Sequence, residues 1–118
     1  MKTDIREQET LYHPIMMDLL EWLEDATGIE FTQTSTYREG DPGVHGTILL
    51  RGVDLRCHVG TIGVQLELLV NNNWQYDPER PQKSCAIYHD VGHGRHLHLQ
   101  THDDTVRRIP LITKKLLT

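Results

Sequence analysis

Cysteine is scarce in this chain: there are two, Cys57 and Cys85. They form neither a disulfide framework nor a Cys-x-x-Cys metal knuckle. Both fall in alternating, strand-like segments and read as reduced core residues, with a cross-strand disulfide or a modified thiol as the alternatives. Long apolar runs are absent as well. None approaches the roughly 18–20 residues of a membrane-spanning helix, so no membrane partner is expected. The start, Met1-Lys2-Thr3-Asp4-Ile5-Arg6-Glu7, lacks the apolar region of a signal peptide. The expectation is therefore a protein that is cytoplasmic as synthesised, with any export by another route. Nor is there an excess of positive charge. Lys and Arg number 12 against 17 Asp and Glu, a net charge of -5 with histidines neutral, which argues against nucleic acid as a main partner. Internal repeats and low-complexity segments are missing too.

What remains is the composition of one soluble globular domain over residues 1–118, 37% hydrophobic and 25% charged. Residues 1–10 read as a polar extension or frayed helical turn, and 105–118 as a tail holding a last short strand that Pro110 interrupts. From Tyr12 to Ala26 the spacing of Ile15, Leu19, Trp22 and Leu23 predicts an amphipathic helix, with Pro14 in its first turn and Gly28 as its stop. His13 reads as a surface residue. Ile29–Tyr37 reads as a strand, followed by a loop rich in Gly and Pro that delivers His45. Gly52–His58 alternates, with Val53, Leu55 and Cys57 on one face and Asp54, Arg56 and His58 on the other. A second helix is expected from Gly60 to Asn73, with Ile62, Leu66, Leu69 and Val70 on its apolar side, and then a connecting loop over Trp74–Lys83. Ser84–His89 and His96–Gln100 read as strands joined by a tight turn over Asp90–Arg95. The order of elements predicts an α+β fold with an antiparallel sheet and flanking helices.

Histidine is concentrated where the chemistry is expected. The stretch from Cys85 to Gln100 holds four of the eight, and its period-two alternation sets His96 and His98 on one strand face. Neutral imidazole is the commonest protein ligand for zinc. His45, Asp54 and His98 together offer two imidazoles and one carboxylate, a donor set that suits zinc better than calcium or magnesium. Three protein ligands with a fourth position left for water is the pattern of a catalytic zinc site. His58, His89 and His102 read as structural or exposed, and Trp74, Tyr76 and Tyr88 as packing residues.

Three segments carry a family resemblance: Ser35-Thr36-Tyr37-Arg38, then His45 followed by Arg51-Gly52-Val53-Asp54, then His96-Leu97-His98. In this order they resemble the Ser-x-x-Arg, His-x-x-Gly-x-Ala-x-Asp and His-x-His motifs of zinc peptidases of the D-alanyl-D-alanine carboxypeptidase type, which share the Hedgehog/DD-peptidase fold. The chain is similar to small single-domain phage and bacterial members also at Asn73-Trp74, Tyr76-Asp77-Pro78 and His89-Asp90-Val91-Gly92. The likeness covers roughly Phe31 to Gln100. It implies Zn2+ as cofactor, bound by His45, Asp54 and His98. It implies attack of zinc-bound water on a peptide carbonyl of bacterial peptidoglycan, often beside a D-amino acid. It also implies a catalytic or supporting imidazole at His96, and substrate contacts at Arg38 with Ser35 in the same segment. A role in a virion or in host lysis follows from the same resemblance.

The chain departs from the family at two places. His45 and Asp54 are spaced more widely than the family's His and Asp, and Leu50 stands where a glycine is usual. At the position three residues before the last ligand, where many members carry a catalytic acid, this chain has Arg95, which cannot act as a base. His93, five residues before His98, is the preferred substitute, with Asp90 as the other. The rival expectation is a domain that binds metal without catalysis, such as a phage structural or accessory protein.

Overall fold

The computed structural model describes residues 2–3, 12–37, 51–90 and 94–108, with the backbone alone at 2–3, 35–37 and 90. Helix α1, Pro14–Thr27, begins with proline in its first turn, where a missing N–H costs nothing. His13 is its N-cap: Nδ1 accepts from the Ile15 amide at 3.2 Å. The surface role expected for His13 is thus replaced by a capping role, because this imidazole satisfies one of the helix's free amides. Gly28 ends the helix at φ 70°, in the left-handed region, and its N–H donates to the Glu24 carbonyl.

Helix α2, Gly60–Asn73, has the bounds read from the sequence. Leu66 and Val70 are buried as expected, whereas Ile62 is exposed along with Val64 and Leu68. The helix is apolar on more sides than it buries, so periodicity alone misassigns Ile62.

The strands are β1 (Lys2–Thr3), β2 (Thr32–Tyr37), β3 (Gly52–Arg56), β4 (Trp74–Gln75), β5 (Ala86–Asp90), β6 (Arg95–Gln100) and β7 (Val106–Arg107). Five of them form one sheet in the order β1-β2-β3-β6-β5, while β4 and β7 pair separately. The large sheet is antiparallel except at its edge, where β1 runs parallel to β2. Lys2–Thr3 is therefore an edge strand rather than a frayed helical turn, and Trp74–Gln75 is a strand inside the expected loop. The fold is α+β, with an antiparallel sheet and two helices.

Alternation divides the sheet into two chemistries. Leu97 and Leu99 of β6 lie opposite Leu55 and Val53 of β3, and all four are fully buried. Met16, Leu19, Leu20 and Leu23 of α1, with Leu66 and Val70 of α2, complete this core. Their spacing keeps each set on one side of its helix. Cys57 and Cys85 are free and buried, and burial pushes the Cys85 thiol up to about 12. At neutral pH such a thiol is an apolar filler, as the sequence indicated.

Helix α2 also guards the outer edge of β5. Asn71 bonds both backbone groups of Ala86, at 2.9 and 3.0 Å, and the Glu67 carboxylate accepts from the Tyr88 amide at 2.7 Å. Edge amides and carbonyls left open invite pairing with other chains, and these side chains close that edge of the sheet. The histidine hairpin is thereby fixed against the body of the fold.

Candidate functional site

The second face of the sheet carries the polar residues. In β3 and β6, Asp54 lies directly opposite His98, Arg56 opposite His96, and Gly52 opposite Gln100. In β5 and β6, Ile87 lies opposite His98 and His89 opposite His96. Because side chains two apart share a face, His96, His98 and Gln100 project together, and the register brings Asp54 and His89 beside them.

Asp54 and His98 form the centre of this group. Asp54 Oδ1 and His98 Nδ1 are 2.8 Å apart. Asp54 is 3% exposed, although a carboxylate on a strand's polar face is ordinarily solvated. A carboxylate taken out of water needs a hydrogen-bonded or cationic partner, and His98 supplies one side of that requirement. The His98 ring stands with its centroid 6.0 Å from that of His89. Two further imidazole atoms, His89 Nε2 and His96 Nδ1, are buried with no hydrogen-bond partner among the described residues. Beyond His98, Nε2 meets Gln100 Oε1 at 3.3 Å, and Gln100 Nε2 donates to the Ser84 carbonyl at 2.8 Å.

Asp54 and His98 offer one oxygen and one nitrogen of the kinds that metal ions take as ligands. The carboxylate and the imidazole meet each other across two paired strands, at hydrogen-bond distance. On a tetrahedral ion with bonds near 2.0–2.2 Å, two such ligand atoms sit about 3.3 Å apart. The pair would need to open by about half an ångström, well within side-chain rotation.

The remaining expected site residues divide by position. His45, Arg38 and His93 lie outside the described residues. Ser35 is placed opposite Asp54 in the β2–β3 ladder, next to an irregularity between Gln33 and Ser35. Asp90 is opposite Arg95 at the turn end of the β5–β6 hairpin. By alternation Arg95, two residues before buried Leu97, belongs to the helix-covered face. Arg95 accordingly extends over the start of α2, its Nη1 2.7 Å from where a Cβ would stand on Gly60. The side chain at the usual acid position therefore points away from Asp54 and His98.

A separate group lies at the other end of the chain. Asp77, His102 and Asp104 bring one ligand atom each within 4.8 Å of one another and could hold a metal ion. Asp77 is buried, His102 half-buried and Asp104 exposed. Asp77 is already engaged: Oδ2 accepts from Arg80 Nε at 2.8 Å and Oδ1 from the Glu79 amide at 2.9 Å. The bond from Arg80, helped by that amide, holds the Asp77 carboxyl below its usual range. A cation there would share the Asp77 carboxylate with the Arg80 guanidinium, whose like charge opposes it.

Gln100 is the site residue that sequence reasoning missed. The signal was its place two residues beyond His98 on the same strand face, within a pattern already read as alternating. Compared with known proteins, the chain matches no family model, no curated protein and no solved structure.

Proposed function

We propose that the protein is a zinc-dependent peptidase acting on the peptides of bacterial peptidoglycan, with Asp54, His98 and His45 as metal ligands. The observation that carries this reading is the buried Asp54 carboxylate 2.8 Å from His98 Nδ1. A buried acid and an imidazole on a rigid two-strand frame make a nitrogen–oxygen donor set, which favours zinc over the all-oxygen cations. The Hedgehog/DD-peptidase fold belongs to the same proposal, supported by the order of the motifs and by a sheet that brings the second and third of them together.

Zinc bound there supplies two things: a water whose pKa falls from 15.7 to about 7, and a Lewis acid for the scissile carbonyl. The chain's own residues do the rest. His96 steadies charge that develops on the substrate oxygen. Arg38 holds a substrate carboxylate in its guanidinium fork, and Ser35 lies in the same segment. His93 takes the proton, with Asp90 as the second choice, since Arg95 can neither accept one nor face the pair.

One observation favours a second reading. With Arg95 turned onto α2, the usual acid is missing, and a metal-binding accessory protein without catalysis is the rival. Mass spectrometry of muropeptides incubated with the zinc-loaded protein separates the two. Release of D-alanine or scission of a cross-link, lost in Asp54→Ala and after chelation, supports the peptidase. Zinc-loaded protein that leaves every stem peptide and cross-link intact supports the rival.

A further inference from the structure

The hydrogen bonds around His98 form a chain whose polarity can be worked out from one end. The Ser84 carbonyl can only accept, so the Gln100 atom 2.8 Å from it is the amide nitrogen. The other end of the same amide, Oε1, then faces His98 Nε2 at 3.3 Å. Turning the amide over would set two oxygens against each other at the shorter contact. Oε1 is an acceptor without a proton, so this contact is a hydrogen bond when His98 carries its proton on Nε2. A neutral imidazole with its proton on Nε2 carries a lone pair on Nδ1, and here that lone pair points at Asp54 Oδ1 from 2.8 Å. Two lone pairs at that distance repel unless a cation lies between them: a second proton on the ring, or a metal ion.

Resting on the zinc reading above, we propose that Gln100 is a positioning residue whose amide, oriented by the Ser84 carbonyl, fixes His98 with its proton on Nε2 and so presents Nδ1 to the Asp54 side as a metal-ligating nitrogen. Without this amide the favoured form is the opposite one. Nδ1–H would donate to the Asp54 carboxylate, a charge-assisted bond, and the nitrogen facing the carboxylate would be closed to metal. The position of Gln100 follows from the fold: it shares a strand face with His98, and the β5–β6 pairing sets the Gln100 amide 2.8 Å from the Cys85 carbonyl, beside Ser84. Outer partners of this kind orient metal-ligating histidines, and their loss typically weakens metal binding by about 10- to 100-fold.

The test compares the unaltered protein with Gln100→Leu, which removes the acceptor, and Gln100→Glu, which keeps one. Zinc affinity is read by calorimetry, the His98 ring nitrogens by 15N NMR with and without zinc, and the metal-free fold by thermal unfolding. The expected result is zinc on Nδ1 with a proton on Nε2 in the unaltered protein. Affinity in Gln100→Leu should fall roughly 10- to 100-fold and largely return in Gln100→Glu. Equal zinc affinity in Gln100→Leu, or zinc on Nε2 of the unaltered protein, overturns the proposal while leaving the zinc site standing. Should the unaltered protein take up no zinc, the functional reading fails, and the proposal that rests on it is overturned with it.

Discussion

Asp54 and His98 stand directly opposite each other on adjacent antiparallel strands, their Oδ1 and Nδ1 atoms 2.8 Å apart. The contact is set by register rather than by any local motif. Shifting β6 by one residue would exchange Leu97 and Leu99 for the histidines in the core, so burial of the leucines holds the pair in place. Pairing and packing are thus the same constraint seen from the sheet's two faces.

The two side chains should therefore be energetically coupled even without metal. Urea unfolding of Asp54→Asn, His98→Ala and the double variant, all metal-free, is expected to give a coupling of roughly 0.5–3 kcal/mol. Additive losses would mean that the two groups do not interact in solution.

At Gly63 helix α2 packs directly against the hairpin. A Cβ built there would stand 2.2 Å from the Tyr88 ring, whose hydroxyl donates to the Cys57 carbonyl at 3.0 Å. Gly63→Ala should cost about 1–3 kcal/mol by overpacking, although alanine is ordinarily the better helix residue. Adding Tyr88→Ala should relieve the clash, so the double variant should lose less than the sum of its parts. A Gly63→Ala protein as stable as the unaltered one would show that α2 does not pack this tightly.

Much of this arrangement is legible in the sequence, and the exceptions share a cause. Strand β6 and the Asp54 face of β3 declare themselves by alternation, and α2 by a long apolar segment closed by Asn71-Asn72-Asn73. Strands β1, β4 and β7 have two residues each, too few for any period to register, and exist because tertiary pairing supplies their partners. The burial of Asp54 escaped notice because alternation gives a residue's face and not what lies over that face. Gln100 was missed for a related reason, since its partner Ser84 is brought near by strand pairing and not by sequence spacing.

The Asp77–Arg80 pair makes a pH prediction of definite sign. Its hydrogen bonds lower the folded-state pKa of Asp77 below the unfolded value of about 3.9. The resulting stabilisation is fully present above that unfolded value and is lost as pH falls through the lowered folded value. Asp77→Asn should therefore be less stable than the unaltered protein near neutrality, with the gap narrowing as the solution is acidified below about pH 4. Chemical unfolding across that range reads it, and a gap independent of pH would show that the carboxylate charge contributes nothing.

The central claim is a zinc site built on Asp54 and His98, and zinc calorimetry on metal-stripped protein tests it most directly, with Asp54→Ala and Asp77→Ala run alongside. The account predicts about one zinc per chain in the unaltered protein and in Asp77→Ala, and loss of that binding in Asp54→Ala. Zinc binding that survives Asp54→Ala but disappears in Asp77→Ala would contradict the account and move the metal to the Asp77–His102–Asp104 group.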